Sequence, residues 1–245
     1  MIENKAEFVK PYSDSGSKKE QIAEMFDNIS ERYDLLNHLL SLNIDKLWRR
    51  KAVRLIKPYN PSIMLDVATG TGDFAVELMP LNPKEIRGID ISAGMLEVGK
   101  AKMLKRKLSD TITLELGDAE NIGYNDNHFE GVTVAFGVRN FEDLRKGLSE
   151  ILRVLKPGYP LAVLEFSMPR SFPWKQLYNF YFSFVLPLIG KTVSKDARAY
   201  AYLPESVKAF PEGKDFISIL QEVGFKKVTE YRVTFGIATI YLAEK

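Results

Sequence analysis

Residues Ile63–Ala75, IMLDVATGTGDFA, constrain the fold of this chain more than any other stretch. An apolar run, Ile63-Met64-Leu65, ends in Asp66. Val67-Ala68-Thr69 and Gly70-Thr71-Gly72 follow, and Asp73 opens a helical pattern. The order predicts a buried strand, a tight glycine turn and a helix start. Glycine permits the sharp bend and lets a ligand come close to the backbone. A second strand is predicted over Glu85–Ile91, closing with Gly88-Ile89-Asp90. The gap from Gly72 to Asp90 suits a carboxylate that receives ribose hydroxyls beyond the second strand of a Rossmann-like unit.

Two ligands compete for this turn. Gly70-Thr71-Gly72-Asp73-Phe74-Ala75 satisfies the G-x-G-x-x-A pattern of dinucleotide sites. A pyrophosphate, however, wants backbone N–H groups and no anions nearby. Asp66 and Asp73 flank the loop and would repel it. They suit S-adenosylmethionine, which carries a sulfonium, an ammonium and a ribose but no phosphate. An ordinary strand–turn–helix corner, with Asp73 as a cap, is the alternative.

Beyond the turn the pattern alternates. Helices are expected over Phe74–Leu81, Met95–Leu108 and Leu144–Leu155, and strands over Ile112–Leu116, Gly131–Phe136 and Leu161–Phe166. Such alternation predicts a parallel sheet with helices on both faces. Ser167–Pro211 breaks the pattern and is rich in aromatics, among them Phe172, Trp174, Phe182 and Phe184; it reads as a helical insertion, 167–211, over the carboxyl edge of the sheet. A helix at Lys214–Val223 and two strands, Lys227–Thr234 and Ile237–Leu242, complete the chain. The short link at Phe235-Gly236 makes those two strands antiparallel. The expected class is α/β: a Rossmann-like, mostly parallel seven-stranded sheet with an antiparallel last strand. Residues 1–18 read as a flexible tail and 19–245 as one domain. Its helical N-terminal part, 19–57, carries a break at Asn37–Asn43.

Composition removes several functions. The chain of 245 residues holds 34 basic and 32 acidic side chains, a net charge of +2, so global electrostatics give no case for nucleic acid. The absence of cysteine excludes disulfides, thiolate metal sites and cysteine nucleophiles. With His38 and His128 as the only histidines, no metal site is expected. The N-terminus lacks an apolar signal region. The longest uncharged run, Gln176–Gly190, is shorter than the roughly 20 residues of a spanning helix. A cytoplasmic protein is expected, with peripheral contact at the inner face of the membrane as an option.

Ligands of open α/β sheets sit beyond the carboxyl ends of the strands. Four ends here carry polar groups: Asp66 to Asp73, Asp90, Asp118 with Glu120, and Arg139-Asn140. Asp118 is placed to read an adenine amino group, with the Ala119 N–H for a ring nitrogen; the alternative is a plain turn residue. The expected cofactor set is Asp66, Gly70, Thr71, Gly72, Asp90, Asp118 and Ala119. Methyl donor and acceptor should meet at Arg139-Asn140, although Arg139 could instead pair with Glu142 or Asp143 and Asn140 could simply cap the helix that follows.

At this point the chain resembles the class I S-adenosylmethionine-dependent methyltransferases. Within them it is similar to the UbiE/MenG-type quinone C-methyltransferases, which act on menaquinone and ubiquinone precursors. The resemblance runs from about Phe26 to Lys245. Its carriers are Tyr33-Asp34-Leu35-Leu36-Asn37 with Leu40-Ser41 and Trp48, Leu65–Asp73, Phe136–Asn140, Arg153–Gly158 with Leu164–Ser167, Val185-Leu186-Pro187 with Ile189-Gly190, and Tyr202-Leu203 with Glu205-Ser206. There are departures. Leu35 replaces a usual methionine, Asp45 a histidine, Tyr159 a glycine, and Ala135 a serine found in some relatives.

The resemblance implies methyl transfer from S-adenosylmethionine to a ring carbon of a reduced, polyprenylated demethylquinol, with demethylmenaquinone favoured. A homodimer is an option. The alternatives are a benzoquinol of the ubiquinone pathway, another S-adenosylmethionine enzyme acting on a phenol oxygen or an RNA base, and a non-enzymatic cofactor-binding component. The resemblance makes Arg139 the candidate cation at the phenolate and Asn140 the donor. Ser167–Gly190, and within it the Gln176–Gly190 run, would serve the prenyl tail or touch the lipid surface, or its aromatics would simply pack on the sheet.

Overall fold

A computed structural model describes residues 4–12, 15–41, 43–181 and 197–245, without the side chains of 32, 35–40, 197, 199 and 200. The sheet comprises β1 (Ile63–Val67), β2 (Glu85–Asp90), β3 (Ile112–Leu116), β4 (Gly131–Ala135), β5 (Pro160–Phe166), β6 (Lys226–Val233) and β7 (Ala238–Glu244). Their spatial order is β3-β2-β1-β4-β5-β7-β6. All neighbours are parallel except β7, which runs antiparallel to both β5 and β6. The expected class is thereby found.

Alternation along the strands explains why both faces are covered. Leu65 and Val67 of β1, Val132 and Val134 of β4, and Leu161 and Val163 of β5 enter one core; Met64, Ala162 and Leu164 enter the other. The first core is closed by α5 (Leu144–Val154) and α8 (Lys214–Val223), through Leu148, Ile151, Phe216 and Ile219. The second is closed by α2 (Ile44–Ile56), α3 (Asp73–Leu78) and α4 (Ala93–Arg106), through Ile56, Leu78 and Leu96. In α5 the buried residues Leu144, Gly147, Leu148, Ile151 and Val154 recur at helical spacing. Asp143 caps it by accepting the Lys146 N–H at 2.9 Å. Ser92 caps α4 in the same way through Met95.

The strand order reverses between β1 and β4, and this switch point opens a crevice at their carboxyl ends. β4 stops at Ala135, one residue before the expected Phe136, because Phe136 has a φ of 58° and turns out of the sheet. The expected helix Phe74–Leu81 is α3 plus a separate 3-10 turn, Met79–Leu81. Pro80 lacks the N–H that a continuing α-helix requires.

The N-terminal region corrects two expectations. Residues through Lys18 are not a free tail where they are described. Lys5–Phe8 forms a 3-10 turn, and Ala6 is fully buried in the first core. The helix α1 (Lys18–Leu40) runs through most of the expected Asn37–Asn43 break and stops before α2 begins at Ile44. Of the aromatic insertion, α6 (Trp174–Phe180) and α7 (Ala197–Ala209) are described. The Gln176–Gly190 path lies outside the described residues from 182 onward, with Phe182, Phe184 and the quoted 185–187 and 189–190 segments. Among the described residues no helix is long and apolar enough to cross a membrane.

Candidate active site

The glycine turn is built around two buried carboxylates. Asp66, at the end of β1, accepts from Thr69 Oγ1 at 2.7 Å and from Thr133 Oγ1 of β4 at 2.6 Å. It ties the turn to the neighbouring strand from beneath. Burial pushes its carboxyl up to about 6, although both threonine hydrogen bonds act the other way. Asp90, at the end of β2, accepts the Gly70 N–H at 2.7 Å on one oxygen and the Ser92 N–H at 2.9 Å on the other. Burial raises its carboxyl as well, against those two N–H bonds.

A cleft enclosing roughly 650 Å³, partly open to solvent, lies over these strand ends. Gly70, Asp90, Asp118 and Ala119 of the expected cofactor set line it, together with Asn140. Asp66, Thr71 and Gly72 lie outside its lining. Asp66 sits below the turn, 1% exposed. Thr71 donates to Asp34 Oδ1 at 2.6 Å and receives Lys102 Nζ at 2.8 Å. Gly72 supplies a φ of 81° at the entry to α3, which a side chain would strain. Lys102 also pairs with Asp34 at 2.5 Å and Asp73 at 2.8 Å. Asp73 is therefore offset by a cation and lies outside the cleft lining, whereas the carboxylates of Asp90 and Asp118 belong to it.

The Asp118 turn is itself held. Its Oδ1 accepts the Glu120 N–H at 2.9 Å and its Oδ2 receives Lys19 Nζ at 2.7 Å. Lys19 also reaches Glu120 at 3.2 Å. Burial alone would lower the Lys19 ammonium, but the two carboxylate hydrogen bonds outweigh it and raise it.

On the opposite wall, β4 ends in Phe136-Gly137 and a 3-10 turn, Val138–Asn140. Ala68 and Phe136 both hold positive φ, 53° and 58°, at the two strand ends that flank the switch point. Left-handed backbone at non-glycine residues costs energy and collects at functional sites. Gly137 is needed here, since a Cβ on it would come within 2.5 Å of the Ala68 Cβ. Asn140 donates from Nδ2 to Phe136 O at 3.3 Å, and its Oδ1 accepts from Tyr202 Oη at 3.0 Å.

Arg139 is 6% exposed and does not line the cleft. Its Nη1 donates to Phe136 O at 2.5 Å and to Glu165 Oε1 at 2.8 Å. Of the two expected readings, a cation at the acceptor or a structural ion pair, the geometry favours the ion pair, with the charge of Arg139 matched by Glu165 inside the fold. The partner is neither Glu142 nor Asp143. Burial raises the Glu165 carboxyl while the guanidinium beside it acts in the opposite direction. Behind the wall, Phe136 stacks on Phe166 with centroids 4.5 Å apart, and Trp48 packs 6.2 Å from each. Asp45, at the family's usual histidine position, forms a buried pair with Arg49 and accepts from Ser41 Oγ at 2.6 Å.

Sequence reasoning gave no role to Lys18, Lys19, Glu165 or Tyr202. Glu165 and Tyr202 lie within the segments that carried the resemblance, which was the available signal. Lys18 and Lys19 lie at the margin of the supposed tail, where nothing marks them.

Comparison with known proteins places this geometry. The ubiE/COQ5 methyltransferase family model matches residues 14–245. The chain is 50% identical over 240 residues, 98% of each chain, to a protein of Bacteroides fragilis named demethylmenaquinone methyltransferase. It is 46% identical, over 93% of this chain and 90% of the relative, to a Geobacter sulfurreducens protein named ubiquinone/menaquinone biosynthesis C-methyltransferase UbiE. Among solved structures, an S-adenosylmethionine-dependent methyltransferase of Thermotoga maritima aligns with a TM-score of 0.62 at 20% identity, over 91% of this chain and 99% of that one. The [4+2]-cyclase SpnF aligns with a TM-score of 0.69 at 16% identity, over 93% and 96%. Those structures show the fold; the family match and the relatives show the lineage. The chain belongs to the ubiE/COQ5 methyltransferase family.

Proposed function

We propose that this protein transfers a methyl group from S-adenosylmethionine to a ring carbon of reduced demethylmenaquinone, giving menaquinone. The observation that carries the reading is the cleft itself, which joins Asp90 and Asp118 on one side to Asn140 and Phe136 on the other. The full-length relatives named for this reaction agree with it.

The donor set fits the methyl donor. Asp90 is held by backbone N–H groups yet borders the cleft, as a carboxylate that receives ribose hydroxyls should be. Asp118 and Ala119 border the cleft as the adenine-reading pair. When bound, S-adenosylmethionine supplies an electrophilic methyl group. The chain's own residues align the acceptor, and positioning is the main contribution to such a transfer. Phe136, backed by Phe166, offers an aromatic surface to a planar ring. Asn140, oriented by Tyr202 and Phe136 O, is the polar group placed beside it. Arg139 supports this wall through Glu165 and Phe136 O. The quinol proton leaves to solvent through the open side of the cleft.

The prenyl tail and a lipid surface are met by the exposed aromatics. Phe172 is 80% exposed, and Phe180 and Phe235 are each 59% exposed. Trp174 stacks on Phe235 with centroids 3.6 Å apart. Trp48 Nε1 donates to Thr234 Oγ1 at 2.7 Å, so the same patch borders the aromatic wall of the cleft. Arg170 and Lys175, both exposed, stand among these residues and suit anionic headgroups.

Deleting the gene in the source organism and profiling its quinones tests the reaction. Accumulation of the demethylated naphthoquinone is expected. Accumulation of an unmethylated benzoquinone precursor would shift the substrate to the ubiquinone pathway, and an unchanged profile would overturn the reading.

A further inference from the structure

Among the described residues, the least expected buried polar group is the Lys18 side chain. It is 1% exposed, at the first turn of α1. Its Nζ donates to Ala6 O at 2.7 Å, Arg139 O at 3.0 Å and Phe141 O at 3.0 Å. An ammonium has three protons, and each finds a buried carbonyl. Two of those carbonyls flank Asn140 in the chain. The third belongs to the N-terminal 3-10 turn.

A second set of bonds runs beside this one. Glu142 Oε1 accepts from Ser17 Oγ at 3.0 Å and from the Lys18 N–H at 2.9 Å. Glu120 Oε1 accepts the N–H groups of Glu142 and Asp143, at 2.8 and 3.2 Å. The start of α1 thus grips the Asn140 turn from one side and, through Lys19, the Asp118 turn from the other.

We infer that Lys18 is a positioning residue for methyl transfer: its ammonium fixes the Arg139–Phe141 turn and so holds Asn140 in the cleft. The inference rests on the proposed reaction, but it concerns the chemical step and not cofactor binding. Lys18 has no place in the cleft lining, whereas Asn140 does.

The proton on Lys18 is the variable. Burial lowers its pKa to about 8, with Arg139 acting the same way and Glu7, Glu142 and Glu120 acting against it. As pH rises through about 8 the amine becomes neutral, keeping two protons for three carbonyls. The folded pKa lies below the ordinary lysine value, so the unfolded chain binds more protons between about 8 and 10.5. Over that window this group makes the fold relatively more stable as pH rises. A fall in rate there cannot be this group's contribution to unfolding.

The test is single-turnover methyl transfer from pH 6.5 to 9.5 in the full chain, with cofactor affinity measured in parallel. Three proteins are compared: wild type, Lys18→Met and Lys18→Arg. Lys18→Met should lower the rate at pH 7 by about 10- to 100-fold, the cost of a misplaced turn, with cofactor affinity little changed. The gap should narrow above pH 8 as the wild type loses its proton. Lys18→Arg, which stays charged, should show no such loss. A normal rate in Lys18→Met, a loss traced wholly to cofactor affinity, or a gap that ignores pH would overturn the inference. If Lys18→Met does not fold, the ratio of wild type to Lys18→Arg decides, and a flat ratio across pH 8 overturns it. Wild-type turnover carries the functional reading separately.

Discussion

Asp66 and Asp90 look equivalent in the sequence, each an acid at the end of an apolar strand. The fold separates them. Asp66 is enclosed by Thr69 and Thr133, while Asp90 borders the cleft. Asp90→Ala should weaken S-adenosylmethionine binding by roughly 1.5–3 kcal/mol, the worth of a charge-assisted hydrogen bond. Asp66→Asn should weaken it much less, as calorimetry on both variants would show. Asp66→Asn should also have a pH signature. The folded pKa of Asp66 is raised to about 6, so burying its ionised form opposes folding above that pH. The variant should gain stability relative to wild type at pH 8 and lose that advantage by pH 4. Arg139 gives the second residue-scale prediction. Arg139→Gln leaves Glu165 buried without its cation and should cost about 3–5 kcal/mol of stability. Adding Glu165→Gln should recover most of that loss in a denaturant titration. Additive losses would mean that the pair is not coupled. The sequence named Arg139 but not its partner, since Glu165 lies 26 residues away on β5. For the same reason Asp73 read as a free anion. Lys102, on α4, is 29 residues distant, and spacing alone does not bring them together.

At the scale of elements, the strands and the helices between them were legible because each buries one or two periodic apolar faces. Ile112–Leu116 and Lys214–Val223 have the bounds that the pattern predicts. The N-terminal segment was not legible. It has too little apolar periodicity to announce packing, and its attachment depends on Lys18, Ser17 and the carbonyls and carboxylate they find. The aromatic segment was legible as an insertion but not in detail. Trp174 on α6 meets Phe235 of the β6–β7 turn, a contact between elements 61 residues apart by number. If this patch serves the tail and the lipid surface, Phe172→Ser with Phe180→Ser should reduce sedimentation with anionic vesicles. Activity should fall severalfold on a long-tailed quinol and little on a short-tailed one. Equal losses on both substrates would assign the patch to packing alone.

For the whole molecule, the fold restricts the chemistry without choosing it. A [4+2]-cyclase and an S-adenosylmethionine-dependent methyltransferase share this architecture at 16% and 20% identity. The chemistry proposed for this chain rests on the content of one cleft, with Asp90 and Asp118 beyond the ends of β2 and β3 and a polar turn beside an aromatic wall after β4. The most direct test supplies the purified protein with S-adenosylmethionine carrying a ¹³C-labelled methyl group and with chemically reduced demethylmenaquinone, then reads the product by NMR. The account predicts a single new label on a ring carbon of menaquinone, formed by wild type and reduced about 10²-fold or more in Asn140→Ala at unchanged cofactor affinity. A label on a phenol oxygen, or no transfer to the quinol by a protein that binds the donor, would contradict it.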